Sequence, residues 1–197
     1  MQIKHLKAIL VLALVVWGLT PGLARAAEFS ATVVSRQDSK ESRGKVYLQG
    51  PKLRREENTP EGLTITIARQ DRGVMWLLVP GQQKYMEIPL AKSDLGQVMA
   101  MPRKATQMKP LGKEMVSGYE TEKFETTVKG EGRTARVYLW VSKKLGVPIK
   151  MASVDGKSSM EYRDIKEGGV PPAIFEIPPG YQKTPLPQMP KGKPQKK

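Results

Sequence analysis

Few residues in this chain have the types and the spacing that catalysis needs. Ser42 and Lys45 stand three positions apart, as in the S-x-x-K pattern of serine acyl-enzymes. The companion motifs of that pattern are missing, and we expect Ser42 to lie in a turn and not at the start of a helix. The chain has no cysteine and a single histidine, His5. It therefore offers neither a catalytic thiol nor the histidines of a triad or a zinc site.

The carboxylates form no pattern that indicates acid–base chemistry. Most of them have a lysine or arginine as a neighbour, as in Arg55-Glu56-Glu57. This arrangement is typical of a solvated surface, whereas glycoside hydrolysis needs two carboxyl groups that face each other. The sequence also contains no glycine-rich phosphate loop and no calcium loop. We therefore predict that the protein is not an enzyme and uses no cofactor or metal.

The N-terminus has the features of an export signal. Lys4 and Lys7 precede an apolar run from Ala8 to Leu19, and Ala24-Arg25-Ala26 has the form of a signal-peptidase site. The run is about a dozen residues long, whereas a membrane-spanning helix needs about 20. No cysteine follows the site, which excludes a lipid anchor. We predict a signal peptide over residues 1–26 and a mature protein in the periplasm.

The charge of the mature chain favours anionic surroundings. Removal of Lys4, Lys7 and Arg25 lowers the formal net charge from +14 to +11. Phospholipid headgroups, lipopolysaccharide or an acidic protein face would suit this charge, and nucleic acid is not expected as the partner of an exported chain. Residues 183–197 are rich in proline, lysine and glutamine, which predicts a disordered basic tail after a single domain over residues 27–182.

The domain reads as a succession of short strands joined by tight turns. Leu63 to Arg69 alternates apolar and polar residues, which predicts one buried and one solvated face. Val74 to Val79 is apolar on both sides, which predicts a central strand covered on both faces. Ten strands are predicted, over residues 29–36, 45–49, 52–56, 63–69, 74–79, 84–88, 119–128, 135–141, 147–154 and 158–165. An antiparallel sheet of this size is large enough to curl.

One short helix is predicted between the two groups of strands, over residues 93–101. Ser93 is a suitable N-cap, Asp94 suits the positive end of the helix dipole, and Pro102 ends the helix. Leu95, Val98 and Met99 share one face of it. The methionines in and after this helix suit a varied apolar ligand, but they would equally serve to cover a core.

A series of short motifs follows the predicted strands. In the first half these are Val46–Arg54, Ile65–Ile67, Asp71-x-Gly73-x-x-Trp76-x-x-x-Pro80 and Tyr85. In the second half they are Val116-x-Gly118-Tyr119-x-Thr121, Tyr138-x-Trp140-Val141, Gly146–Lys150 and Phe175–Tyr181. In this order they resemble the LolA/LolB-like superfamily of periplasmic lipoprotein carriers and outer-membrane lipoprotein-sorting proteins, and in particular an uncharacterised periplasmic branch of it.

The resemblance implies a mainly β fold: a strongly curved antiparallel sheet, or incomplete β-barrel, with one or two short helices as a lid. The concave apolar face of the known carriers shelters lipoprotein acyl chains. Leu95, Val98 and Met99 would then belong to the lid. By strand alternation, the residues expected on the concave face are Tyr47, Ile65, Ile67, Trp76, Leu78, Phe124, Tyr138, Trp140, Ile149 and Met151.

Two departures from the carriers' pattern affect this expectation. The carriers have an arginine just before the proline of the second strand, where this chain has Gly50; the nearest arginines are Arg54 and Arg55. The carriers also begin with a substantial helix, whereas the first strand here is expected from Phe29. The lid would therefore be smaller and the cavity more open, or the chain would need a partner.

These observations lead to one hypothesis and one alternative. The hypothesis is a periplasmic carrier or binding protein for a lipidic or acylated ligand, with lipid or lipoprotein acyl chains as its partner and an anionic membrane surface nearby. The alternative is a non-catalytic envelope sensor or interaction protein that binds a protein or a polyanion through its basic surface. Salt separates the two, since it weakens polyanion binding but not acyl binding.

Overall fold

A single β-sheet organises the part of the chain that the computed structural model describes, which is residues 27–60, 62–90, 108–130 and 133–185. Its strands are β1 (Glu28–Gln37), β2 (Lys40–Gln49), β3 (Lys52–Thr59), β4 (Gly62–Arg69), β5 (Val74–Val79), β6 (Lys84–Pro89), β7 (Lys109–Val116), β8 (Tyr119–Gly130), β9 (Arg133–Ser142), β10 (Pro148–Ser153), β11 (Ser158–Glu167) and β12 (Gln182–Lys183). Their order across the sheet is β12-β6-β5-β4-β3-β2-β1-β11-β10-β9-β8-β7. The sheet is open and strongly curved, and the predicted fold class is confirmed.

All neighbouring strands are antiparallel except β12, which runs parallel to β6. Two short 3₁₀ helices, Pro80–Gln82 and Pro172–Phe175, lie between strands. In the described ranges no helix combines the length and the apolar character needed to cross a membrane. The predicted helix over residues 93–101, the signal peptide and residues 186–197 of the predicted tail lie outside the described residues.

The ten predicted strands are all present, with three corrections to the sequence-based scheme. β2 begins at Lys40 and not at Lys45, so Ser42 lies within a strand and not in a turn. β7 was not predicted, because Pro110 and the bulge beside Gly112 interrupt its pattern. Lys183, which the sequence assigns to the tail, lies in β12.

β1 joins the two halves of the sheet. It forms a hairpin with β2, and on its other side it pairs with β11, from Phe29 opposite Glu167 to Gln37 opposite Ser158. A bulge between Ser30 and Thr32 interrupts this second pairing. The strands before and after this junction therefore belong to one continuous sheet.

The two faces of the sheet follow from the registers, since cross-strand partners share a face and successive residues alternate. We call face A the side to which Phe29, Val46 and Arg55 point. Face B is the side to which Tyr47 and Ile67 point.

Face B of β4 and β5 carries one buried cluster, and the segment after β11 covers it. Ile65 and Ile67 of β4 are buried there, in agreement with the predicted alternation, whereas Leu63 on the same face is exposed. On β5 only one face is fully covered: Trp76 and Leu78 are buried on face B. The buried members of the cluster are Ile65, Ile67, Trp76, Leu78, Val170 and Phe175.

A second buried cluster is centred on face A. Six of its members lie on this face of β1, β2 and β3: three on β1, two on β2 and Leu53 on β3. It extends to the turn regions beside β6, β7 and β10. Its members are Phe29, Ala31, Val33, Val46, Leu48, Leu53, Ala68, Leu90, Val116, Trp140, Leu145, Ile149 and Tyr162.

Candidate functional site

The ten residues predicted for a shared apolar face are divided between the two faces. Tyr47 and Trp140 both lie on face B. The cross-strand pairs that connect them pass through β1, β11 and β10 and keep to that face. Phe124 and Met151 lie on face A, and Ile149 is fully buried at the β10 bulge. The members on face B are Tyr47, Ile65, Ile67, Trp76, Leu78, Tyr138 and Trp140.

The chain itself occupies face B of β4 and β5. Phe175 is fully buried against this surface, and Ile174, Ile177 and Tyr181 pack around it. Polar contacts fix the segment at its edges: Gln49 Nε2 donates to the Val170 carbonyl at 3.0 Å, and Arg54 Nη1 donates to the Ile174 carbonyl at 2.9 Å. This subset of the predicted site residues is therefore part of the packed interior.

A buried arginine of β4, Arg69, forms hydrogen bonds to the same segment. Arg69 is 4% exposed; its Nε and Nη2 donate to the Asp71 carboxylate at 2.9 and 2.6 Å, and its Nη1 bonds to Glu176. The hydrogen bond from Arg69 holds the pKa of Asp71 below its ordinary value. Burial opposes the ionisation of Glu176, but Arg69 and Arg72 outweigh it, so that this pKa is lowered too. The four groups form an ion network that anchors the segment.

An open groove of about 710 Å³ remains beside this segment. Tyr47, Arg54 and Glu56 form its floor, and Ile174 and Ile177 form part of its wall. Arg54 Nε donates to Glu56 at 2.7 Å, and Arg54 also holds Ile174. The charged groups of the groove are thus already paired with each other or with the segment.

The other aromatic pair on face B lies beneath lysines. The Lys123 ammonium stands 4.7 Å from the centre of the Trp140 ring and 4.9 Å from that of Tyr138, and Lys150 stands 4.9 Å from Trp140. Trp140 Nε1 donates to Glu114 at 2.7 Å, and this bond, with the one from Lys123, lowers the pKa of Glu114. Trp140 is 5% exposed, so this pair offers little apolar surface to a ligand.

Face A presents apolar side chains that remain half-buried. On β5 and β6 these side chains lie beside the buried part of face A, and on β8, β10 and β11 they form a cross-strand row. Methionines are frequent among them, and such side chains adapt to ligands of varied shape. The half-buried set is Met75, Leu77, Met86, Ile88, Phe124, Met151 and Met160.

Arg55 lies within this apolar surface. It belongs to a row that crosses six strands, and it is the only charged side chain of that row: Ala31, Val46, Arg55, Thr66, Leu77 and Met86. Arg55 Nη2 donates to Ser35 Oγ at 3.0 Å and to Glu57 at 2.5 Å. Nη1 meets only the Met160 sulfur, at 3.7 Å, and the buried Nε has no hydrogen-bond partner in the described part of the chain.

The two adjacent arginines therefore have different roles. Arg54 and Arg55 were considered together from sequence, but alternation sends Arg54 to face B, where it binds the C-terminal segment. Arg55 points to face A. Sequence analysis included Phe124 and Met151 of face A but missed Met75 and Leu77, because β5 is apolar at every position and its pattern does not show which face the rest of the protein covers.

The site contains no recognisable metal centre. In the ranges that the structure describes, no group of three or more histidine, cysteine, aspartate or glutamate side chains could hold a metal ion. The hydrogen bonds, charges and apolar contacts of face A are suited to binding.

A family model described as "Domain of unknown function (DUF4412)" matches residues 32–147 of the chain. No curated protein sequence matches it. Among solved structures, an uncharacterised conserved protein from Thermus thermophilus matches with a TM-score of 0.56 and 16% identity, over 83% of this chain and 93% of that one. The MucA/MucB complex structure from Pseudomonas aeruginosa matches with a TM-score of 0.50 and 15% identity, over 78% of this chain.

These matches concern the fold. This chain covers 56% of the matched chain in the MucA/MucB complex, so it is similar to a part of that protein. A structure described as an outer-membrane lipoprotein-sorting protein domain from Vibrio parahaemolyticus also matches, with a TM-score of 0.38 and 13% identity, over 77% of this chain and 92% of that one. Since MucB has a LolA-like fold, the resemblance to the LolA/LolB-like superfamily is confirmed at the level of the fold.

Proposed function

This chain belongs to the DUF4412 family, and on that premise we propose that it is a non-catalytic binding or carrier protein for a lipidic or acylated ligand in the bacterial envelope. The ligand's acyl chains bind on face A. The proposal includes export by the signal peptide over residues 1–26 and a place in the periplasm without a lipid anchor. The predicted lid residues Leu95, Val98 and Met99 belong to the same proposal.

One observation carries this proposal: face A keeps half-buried apolar side chains on both sides of its buried centre. Met75, Leu77, Met86 and Ile88 stand on β5 and β6, and Phe124, Met151 and Met160 stand on the opposite half of the sheet. Face B, in contrast, uses its own C-terminal segment to bury its apolar residues. An apolar ligand therefore finds accessible apolar surface on face A.

The energy of such binding follows from the area of the ligand. Each methylene group that leaves water contributes about 0.8 kcal/mol. Burial of about ten methylene groups would contribute about 8 kcal/mol, from which the entropy that ligand and protein lose on binding is subtracted. Shape complementarity along a single flexible chain is sufficient for this, and no chemical step on the ligand is involved.

The first test is native mass spectrometry of the mature protein, purified from periplasm without detergent. We expect co-purified phospholipid or another acylated molecule in stoichiometric amount, and lipid extraction would identify its class. A clean apo mass, together with failure to take up a fluorescent acyl probe, would contradict the proposal.

A matched pair of leucine variants places the binding on face A. Leu77→Gln puts a polar amide into the half-buried apolar row, so uptake of the fluorescent acyl probe should weaken by about tenfold. Leu63→Gln changes a leucine that is exposed on face B, and probe uptake should stay unchanged. Equal loss in both variants would place the probe elsewhere.

The alternative, binding of a protein or a polyanion through exposed lysines and arginines, makes a different prediction. Acyl-probe uptake through face A should persist at high salt, because apolar burial is not screened. If the protein instead binds heparin or an acidic protein in a salt-sensitive way and takes up no acyl probe, the interaction-protein function replaces the carrier function.

A further inference from the structure

We propose that Arg55 selects the ligand's head group, so that face A prefers amphiphiles whose apolar chain ends in an anionic oxygen group, a carboxylate or a phosphate. This inference rests on the proposed function, because it assumes that the chain of the ligand lies on face A. It adds two points to that function: the chemical class of the ligand, and the residue that recognises the ligand's head group.

The first argument is the hydrogen-bonding state of the guanidinium group. It has five N–H donors. Nη2 is satisfied by Ser35 and Glu57, but Nη1 meets only a thioether sulfur, which is a weak acceptor, and Nε meets nothing in the described residues. A buried donor without a partner destabilises the protein, and an oxygen acceptor brought by a ligand would remove that penalty.

The second argument is the comparison with the neighbouring arginine on the opposite face. Arg54 donates to Glu56 and to the Ile174 carbonyl, and it has no orphaned buried nitrogen among the described residues. The two arginines differ by one position in the same strand. The incomplete pairing at Arg55 is therefore specific to face A, where the accessible apolar surface lies.

The third argument is the place of Arg55 on that surface. The row on one side of it is entirely apolar: Phe29, Leu48, Leu53, Ala68, Met75 and Ile88. The row on its other side contains Val33, Gly44, Glu57 and Thr64, and the row after that contains Ser35 and Ser42. Face A thus becomes more polar along β2, β3 and β4, and Arg55 stands where this change begins, as an amphiphile requires.

An anionic group suits Arg55 better than a neutral one. A guanidinium group matches carboxylate and phosphate oxygens in geometry and charge, and hydrogen bonds between charged groups are stronger than neutral ones. The Glu57 carboxylate stands at Nη2, so a ligand oxygen would approach Nη1, where the flexible Met160 side chain is the neighbour to be displaced. The positive charge of Arg55 also acts on the buried Tyr162, whose pKa burial raises.

The test compares three probes that share one acyl chain: palmitic acid in its ionised form, palmityl phosphate, and the uncharged methyl palmitate. Each competes with a fluorescent acyl probe for the full mature chain. We expect the wild type to bind at least one of the two anionic probes about tenfold more tightly than the ester. Which of the two is preferred tells whether the head group is a carboxylate or a phosphate.

Variants at Arg55 complete the experiment. Arg55→Met should remove the preference for the anion while binding of the ester is retained, and Arg55→Lys should restore part of it because it keeps the charge but not the Nε donor. Lys166→Met is the control, since Lys166 is an exposed cation on face B, and it should keep the full preference. Thermal unfolding of each variant shows whether it is folded.

The outcomes separate this inference from the function on which it rests. If the wild type binds acid, phosphate and ester equally, the inference is wrong and the carrier function stands. The inference also fails if Arg55→Met keeps the preference, or if Lys166→Met loses it as well, since the selectivity would then come from general charge. If none of the three probes binds, the proposed function fails and takes the inference with it.

Discussion

At the scale of single residues, the most deeply buried charge of the described part is Arg69. Its side chain pairs with Asp71 in its own turn and with Glu176 more than a hundred residues later, so it connects the sheet with the segment that covers it. A buried cation is tolerated only when its hydrogen bonds are satisfied, and here two carboxylates and the Phe175 carbonyl provide the acceptors. This network should make stability depend on pH.

The carboxylates determine the sign of that dependence. The folded-state pKa values of Asp71 and Glu176 lie below the ordinary ones, so both groups stabilise the fold above the unfolded pKa of about 4, and this contribution is lost as the pH falls through the lower folded values. We expect Arg69→Met to lower the free energy of unfolding by about 2 kcal/mol near neutral pH and to flatten its acid dependence. Urea unfolding at several pH values measures both.

The exposed pair of Arg36 and Glu41 provides the control for this experiment. Arg36→Met removes a comparable hydrogen bond at the surface and should leave stability nearly unchanged, because exposed pairs contribute little. If wild type and Arg69→Met lose stability in parallel as the pH falls, the buried network is not the source of the pH dependence.

The adjacent arginines show how far single residues can be predicted from sequence. Both Arg54 and Arg55 were recognisable as candidates, and alternation alone requires that they point to opposite faces. The sequence does not show which face the rest of the chain covers. That depends on a segment that follows 120 positions later and binds Arg54. A local pattern cannot report such a long-range contact.

At the scale of elements, the segment between β11 and β12 covers the apolar face B of β4 and β5. Sequence analysis predicted no strand or helix there, and the segment is irregular apart from one 3₁₀ turn, but Phe175 within it is fully buried against Ile65, Ile67 and Trp76. β12 then adds to the edge of β6, with Lys183 bonded to Glu87 at 2.8 Å. The segment therefore belongs to the core, although its proline-rich composition is typical of a linker.

Phe175→Ala tests the contribution of this element. The substitution removes a fully buried ring, so the free energy of unfolding should fall by about 4 kcal/mol, and Trp76 should become more accessible to a fluorescence quencher. Gln182→Ala, at an exposed position of the adjoining strand β12, should change neither quantity. Unchanged stability in Phe175→Ala would mean that the segment is only loosely attached.

Sequence analysis missed two strands, β7 and β12, because neither has a clear strand pattern. β7 contains Pro110 and Gly112, which weaken a strand pattern, and β12 is only two residues long. Both lie at the edges of the sheet, where proline, bulges and short strands discourage pairing with other chains. The interior strand β4, in contrast, keeps a clear alternation of apolar and polar residues.

At the scale of the whole molecule, the continuous sheet implies cooperative unfolding. Trp76 lies on β5 and Trp140 on β9, on opposite sides of the β1–β11 junction, and they are the two tryptophans after the predicted signal peptide. Trp76→Phe and Trp140→Phe each leave one reporter. We expect both variants to show single urea transitions in which fluorescence and circular dichroism coincide. Two separate transitions within one variant would show that the halves unfold independently.

Hairpin connections were predictable at this scale, but the pairing of β1 with β11 was not. Each hairpin follows from alternating residues on both sides of a turn, and those signals stand next to each other in the sequence. The pairing of Phe29 with Glu167 joins residues that no local signal relates. The curved sheet was therefore predictable as a class from the strand count, while its order was not.

The central position of β1 has a consequence for how the chain is made. Synthesis delivers β1 among the first residues of the domain, and its hairpin partner β2 follows at once, but its other partner, β11, is among the last strands to be delivered. Until then one edge of β1 has unpaired amide groups beside the apolar residues Phe29, Ala31 and Val33, and such an edge readily recruits other chains. The nascent chain thus passes through a long interval in which its central strand is open to pairing with other chains.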